Sequence, residues 1–159
     1  MAIYMEHPSI KGNVTAKGFE DQVAIESMQW GVGRAISTPV GKAADREAST
    51  PSVSEVTLTK TTDKASTALI KASVTSPKGE DIILRIASTS AGKVDTIVEI
   101  KLINSIISSY SLSSGGDRPS ESFSINFTKI EYAYTAEDAA NTGAGPARTG
   151  YDIATGEPV

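Results

Sequence analysis

From Ser122 to Tyr134 the chain reads SFSINFTKIEYAY. Successive side chains of a β-strand point to opposite faces, so apolar residues two apart share a face. Phe123, Ile125 and Phe127 fall on one face; Ile130, Tyr132 and Tyr134 fall on the other. The stretch from Gln22 to Ile36, QVAIESMQWGVGRAI, has the same property: Val23 and Ile25 share one parity, Met28, Trp30 and Val32 the other, and the phase slips near Ser27. A strand that changes its apolar side carries a bulge or is buried on different sides at its two ends. Two such strands imply a sheet partly buried on both faces, and a neighbouring copy of the chain can supply the second cover.

The rest of the sequence fits a mainly-β chain. Met1–Ile10, Val53–Thr61, Asp81–Ala87, Asp95–Ile103 and Ile106–Ser113 read as further strands, rich in Thr, Val, Ile and Ser with period-two alternation. Asn13–Asp21 reads as a polar loop. One helix is expected over Asp63–Thr75, with Asp63 accepting backbone N–H bonds at its start and Pro77-Lys78-Gly79 ending it. Its Ala65, Ala68, Leu69 and Ala72 make one face, small enough to sit close to a sheet. SSGGDRPS, Ser113–Ser120, is a turn. Ser37–Ser52, STPVGKAADREASTPS, has little to bury and reads as an exposed mobile loop. Thr135–Val159 reads as an irregular tail that rejoins the domain around Tyr151-Asp152-Ile153.

A chain of 159 residues suits a single domain, residues 1–159, with a core that needs no cross-links. Net charge is −4 with no Lys/Arg-rich run, which gives no electrostatic case for nucleic acid or an anionic membrane. Without cysteine there are no disulfides and no thiol chemistry. No stretch approaches the ~20 apolar residues of a membrane helix, and no signal-peptide pattern opens the chain. The chain is therefore expected in the cytoplasm, and to leave it, if it leaves, without a cleaved signal.

Motifs for catalysis are missing. The single histidine, His7, precedes Pro8, and no G-x-S-x-G elbow accompanies it. Glu20-Asp21, Glu80-Asp81 and Glu137-Asp138 are adjacent carboxylates, and neighbours on a strand point apart. Gly31-Val32-Gly33 and Ser114-Gly115-Gly116 match no phosphate-binding spacing, and no calcium-loop spacing occurs. No catalytic, metal or cofactor site is expected, and the chain reads as a structural protein.

Several segments in order resemble the hemolysin-coregulated protein (Hcp) family, the inner-tube subunit of bacterial type VI secretion systems. They are Ile10-Lys11-Gly12; Glu26-Ser27-Met28-Gln29-Trp30-Gly31-Val32; Leu58–Ser66, LTKTTDKAS; Gly115–Glu121, GGDRPSE; and Phe127–Tyr134, FTKIEYAY. The resemblance covers nearly the whole chain. It implies a β-barrel of two packed antiparallel sheets with one flanking α-helix. It further implies hexameric rings that stack into a hollow tube, propelled from the cell by a contractile sheath. The implied partners are other copies, the sheath and tip proteins, and secreted effectors held in the ring. It places Ser114 and Gln29 as lumen-facing, effector-binding positions. It makes the 37–52 loop a protrusion toward the next ring, with Asp45, Arg46 and Glu47 as inter-ring contacts. Tyr151-Asp152-Ile153 resembles a Trp-Asp-Ile ending. A phage-like tail-tube protein of the same architecture, or a monomeric β-sandwich binding module or hydrolase, are the competing readings.

Overall fold

In the computed structural model the described residues are 1–41, 44, 46–75, 78–90, 92–136 and 145–159, with backbone only at Glu47 and Ser90. In chain order they form β1 (Ala2–Glu6), β2 (Val23–Ile25), β3 (Ser27–Gln29), β4 (Val32–Gly33), β5 (Ile36–Ser37), β6 (Glu47–Ala48), β7 (Ser52–Val53), β8 (Val56–Thr61), α1 (Ser66–Val74), β9 (Glu80–Ser90), β10 (Lys93–Ser113), β11 (Ser120–Asn126), β12 (Lys129–Tyr134), β13 (Ala147–Asp152) and β14 (Glu157–Pro158).

All the ladders are antiparallel, and all but the two short ones, β4–β7 and β5–β6, fall into two sheets. Sheet A runs β2–β1–β9–β10–β12–β13–β14, and sheet B runs β10–β11–β8–β3. Two corner segments join them. The first is β2–β3, interrupted only at Glu26: Val23 and Ile25 pair with β1, Met28 pairs with β8, and the Glu26 N–H donates to Thr59 O at 2.8 Å. The second is β10, a single strand of 21 residues rather than the two expected. Its first half lies between β9 and β12, and its second half pairs with β11. β10 on one side and the β2–β3 corner on the other thus join two packed antiparallel sheets, the expected pair, around one core.

The corners explain the phase slips. Asn104 takes φ 53 where β10 parts from β9, and the register shifts between Leu102 and Ser105. Gly79 passes so close that an added Cβ would sit 1.9 Å from Asn104 Oδ1. The expected long strand 122–134 is instead two strands broken at Phe127-Thr128. One serves sheet B and the other sheet A, so each buries its own parity in the common core. The same core covers Val23, Ile25, Phe123, Ile125 and Ile130. These residues need no neighbouring subunit, contrary to the inference from parity.

Three boundaries differ from the sequence reading. The helix begins at Ser66 because Asp63 closes a turn ahead of it: Asp63 Oδ1 accepts from the Ala65 N–H at 2.8 Å, while the Asp63 N–H donates to Ser66 Oγ at 3.1 Å. The 37–52 stretch is not an irregular loop but part of a two-stranded arm. Ile36 pairs with Ala48, Val32 with Val53, and the Arg34 Nε–H donates to Ser49 O at 2.8 Å. The tail adds β13 and β14 to sheet A, with Tyr151 opposite Ile130. Asp45, Pro77 and the Glu137-Asp138 pair lie outside the described residues.

Candidate functional site

Alternation along sheet B sorts its residues cleanly. Toward the core point Val56, Leu58, Phe123 and Ile125, all in the apolar cluster, and Met28, packed against it. The opposite face is built almost wholly of hydroxyls. It carries Ser27 and Gln29 from β3, Thr57, Thr59 and Thr61 from β8, Ser120, Ser122 and Ser124 from β11, and Ser109, Ser111 and Ser113 from β10. The β-branched threonines favour the strand while keeping the surface polar. Their hydroxyls pair across strands: Ser27 with Thr59, and Thr57 Oγ1 with Ser124 Oγ at 3.4 Å. No charged side chain occupies these positions. Glu26 and Glu55 stand at the margin, where they accept from the hydroxyls of Thr61 and Ser108.

Of the two residues that the resemblance singles out, only Gln29 belongs to this face. Gln29 is exposed at its β3 edge, in the row Gln29–Thr57–Ser124–Ser109. Ser114 is exposed one residue beyond β10, past the row Ser113–Ser120–Thr61. At about 3.4 Å per residue the two rows are well over 10 Å apart, so one chain does not bring Gln29 and Ser114 together. The rest of the face was missed in the sequence, although its signal was there: serine and threonine at every second position over Thr57–Thr61, Ser109–Ser113 and Ser120–Ser124. Of the inter-ring candidates, Arg46 is exposed on the arm and Glu47 lies in β6 opposite Ser37.

Charge in sheet B is confined to the core side. Lys60 is 0% exposed and sits directly opposite Glu121, 1% exposed, on the neighbouring strand. The Lys60 ammonium donates to Glu121 Oε2 at 2.6 Å, Asp63 Oδ1 at 2.8 Å and Thr61 O at 2.9 Å. Glu121 also accepts from Ser66 Oγ at 2.9 Å and from the Tyr110 hydroxyl. Burial would raise the Glu121 carboxyl, but the hydrogen bonds from Lys60, Tyr110 and Ser66 outweigh it and hold the group below the usual range. Burial and the bond to Glu121 push the Tyr110 phenol above its ordinary value. The cluster ties β8, β10, β11 and the start of α1 together behind the hydroxyl face.

His7 does not face this site. It lies at the end of β1, 8% exposed, and its Nδ1 accepts from the Ser9 N–H at 3.1 Å. Burial depresses its pKa, with Glu80 acting against that and Lys11 with it. Among the described residues no group of His, Asp and Glu could hold a metal ion, and no helix is long and apolar enough to cross a membrane.

The family profile described as "Type VI secretion system effector, Hcp" matches residues 4–134. Among solved structures, one titled "Structure of a type six secretion system protein" superposes with a TM-score of 0.88 at 20% identity, covering 99% of each chain. Hcp1 from Salmonella typhimurium gives 0.77 at 16% identity, over 99% of this chain and 98% of that one. Secreted protein Hcp3 from Pseudomonas aeruginosa gives 0.62 at 20%, over 94% and 98%. A comparison with curated proteins finds no match. The profile spans β2 to β12 with the arm, the helix and the hydroxyl face, and on that ground this chain belongs to the Hcp family of type VI secretion system proteins.

Proposed function

We propose that the chain is a structural, non-catalytic subunit of the secretion tube. Six copies close a ring with sheet B toward the lumen, and rings stack through the 32–53 arm. The observation that carries this reading is the uncharged hydroxyl face. Such a wall stays hydrated, offers no strong ion pair and no large apolar patch, and so lets folded cargo of either charge pass or lodge without tight adhesion. The arm supports the assembly half of the reading. Val32, Ile36 and Val40 are exposed on it, each more than half accessible, and a neighbouring copy would cover them. Effector proteins are the cargo, and sheath and tip proteins complete the machine. The subunit leaves the cell through that apparatus.

Light scattering and negative-stain images of the purified protein test the assembly. Sixfold rings are expected, and a strict monomer at micromolar concentration overturns the reading. Ser114→Arg and Gln29→Arg test the orientation of the face. Each should leave rings intact and weaken effector co-purification, whereas unchanged effector recovery in both variants turns sheet B away from the lumen.

A further inference from the structure

A groove of about 310 Å³ lies between the second half of α1, the end of β1 and the corner where β10 leaves β9. Its apolar lining includes Ile10, Ala68, Ala72 and Ile107. Its polar groups divide sharply into those already used and those still free. Glu80 accepts the Ser9 hydroxyl on both carboxylate oxygens, at 2.7 and 2.9 Å. The Thr75 hydroxyl is spent on Lys71 O at 2.8 Å, inside the helix's last turn. His7 Nδ1 receives the Ser9 N–H, which places the proton of the neutral ring on Nε2 as a donor. Lys71 and Lys78 line the groove and form no ion pair among the described residues. Ser105 is 3% exposed, and its hydroxyl is buried without a hydrogen-bond partner. A buried hydroxyl left unpaired is costly and calls for an account.

What remains free is therefore mostly donors around an apolar channel. We propose that this groove binds a small carboxylate with a short apolar chain, its head held by Lys71, Lys78 and the donors of His7 and Ser105, its chain against Ile10, Ala68 and Ala72. Two lysines against one glutamate leave the mouth net positive. The C-terminal end of α1 works against an anion, but Lys71 stands in that last turn and offsets it. A volume of about 310 Å³ is at the small end for a ligand pocket and suits a short chain. Such a carboxylate is either a free short-chain acid or the last residue of a polypeptide.

Titration of the intact ¹⁵N-labelled chain with hexanoate, followed by NMR, tests the site. Saturable shifts are expected at the amides of Ser9, Ala72, Thr75 and Ser105. Hexan-1-ol, which lacks the charge, should bind at least fivefold more weakly. Lys71→Gln with Lys78→Gln should erase that preference and leave hexanol binding unchanged. Ser105→Ala, which removes a hydroxyl the fold does not use, should weaken hexanoate at least twofold while the protein stays folded. N-acetyl-Ala-Val and its C-terminal amide separate the sources. Selective binding of the peptide acid assigns a polypeptide end, and binding of hexanoate alone assigns a free acid. The proposal is overturned by absent or non-saturating shifts, by equal affinity for hexanoate and hexanol, or by a preference that survives loss of both lysines.

Discussion

Outward from sheet A point Arg85, Glu99, Lys101, Glu131 and Arg148; outward from sheet B, on strands around the same core, point serines, threonines and Gln29. The contrast divides a single strand. β10 presents Glu99 and Lys101 before the Asn104 bulge, and Ser109, Ser111 and Ser113 after it. Backbone geometry and a shared core therefore do not dictate the surface. On sheet A the charges are of both signs and pair with one another: Arg85 reaches Glu6 at 2.7 Å and Glu99 at 3.3 Å, and Lys129 reaches Glu131 at 3.4 Å. A face of that kind selects partners by charge and loses selectivity in salt. The hydroxyl face has no such handle.

The sharpest way to break the comparison is to disturb the charge that sheet B keeps behind its neutral face. Lys60→Met leaves Glu121 buried without its cation and should cost about 3–5 kcal/mol, read from the urea midpoint. Adding Glu121→Leu should recover most of the loss, because an apolar pair of similar volume tolerates burial better than a lone carboxylate. A single variant that loses under about 1 kcal/mol would mean the pair does not fasten β8 to β11.

Acid probes the two sheets in separate windows. His7 is the chain's one histidine, and its folded pKa lies below 6.5. The unfolded chain thus binds a proton that the fold resists. Stability should be full above about pH 6.5 and fall as pH drops from there toward the folded value, by at most about 1.4 kcal/mol per pH unit. His7→Gln should flatten that slope. Glu121, also depressed, contributes stability that is full above about pH 4.5 and is lost as pH falls through its folded value. A slope between pH 5 and 6.5 that persists in His7→Gln would remove His7 as its source.

On sheet A a smaller effect is expected. Arg85 is the shared cation of Glu6 and Glu99, in a partly exposed setting. Arg85→Met should cost about 0.5–1 kcal/mol and should narrow the stability difference between low and high salt. A loss as large as that of Lys60→Met would erase the distinction between a buried clasp and a surface ladder.

How far the sequence revealed this arrangement depends on which residue is considered. The parity switches at Ser27 and Phe127 were legible, and they mark the corners. Their cause was not, because alternation reports that a strand changes sides without saying whether a second sheet or a second chain covers it. Asn104 hid the continuity of β10: a polar residue between Ile103 and Ser105 reads as a turn, whereas at φ 53 it is a bulge inside one strand. The arm was invisible because STPVGKAADREASTPS has no apolar alternation; short backbone ladders and the Ser49 bonds hold it. Lys60 and Glu121 look like surface charges until the register places them opposite each other beneath α1. Gln29 and Ser114 came from resemblance alone, while the Ser/Thr rows that give them meaning were in plain alternation.

The smallest expected change in the monomer concerns the hydroxyl face itself. Ser111 is exposed on β10, and its hydroxyl makes only a long bond, 3.4 Å, to Ser122 O. Ser111→Lys should therefore shift unfolding by no more than about 0.5 kcal/mol. If sheet B lines a ring, the same substitution sets one new cation per subunit around a shared space. Six like charges repel across the lumen, and acidic cargo gains an attraction it lacked. Ring yield should then fall at low salt and recover as salt is raised, and co-purified effectors should shift toward acidic proteins. Lys101→Ser, the mirror change on sheet A, removes a charge from a face of mixed sign and should do neither. If both variants assemble and load alike at every salt concentration, the neutrality of sheet B has no bearing on what the chain encloses.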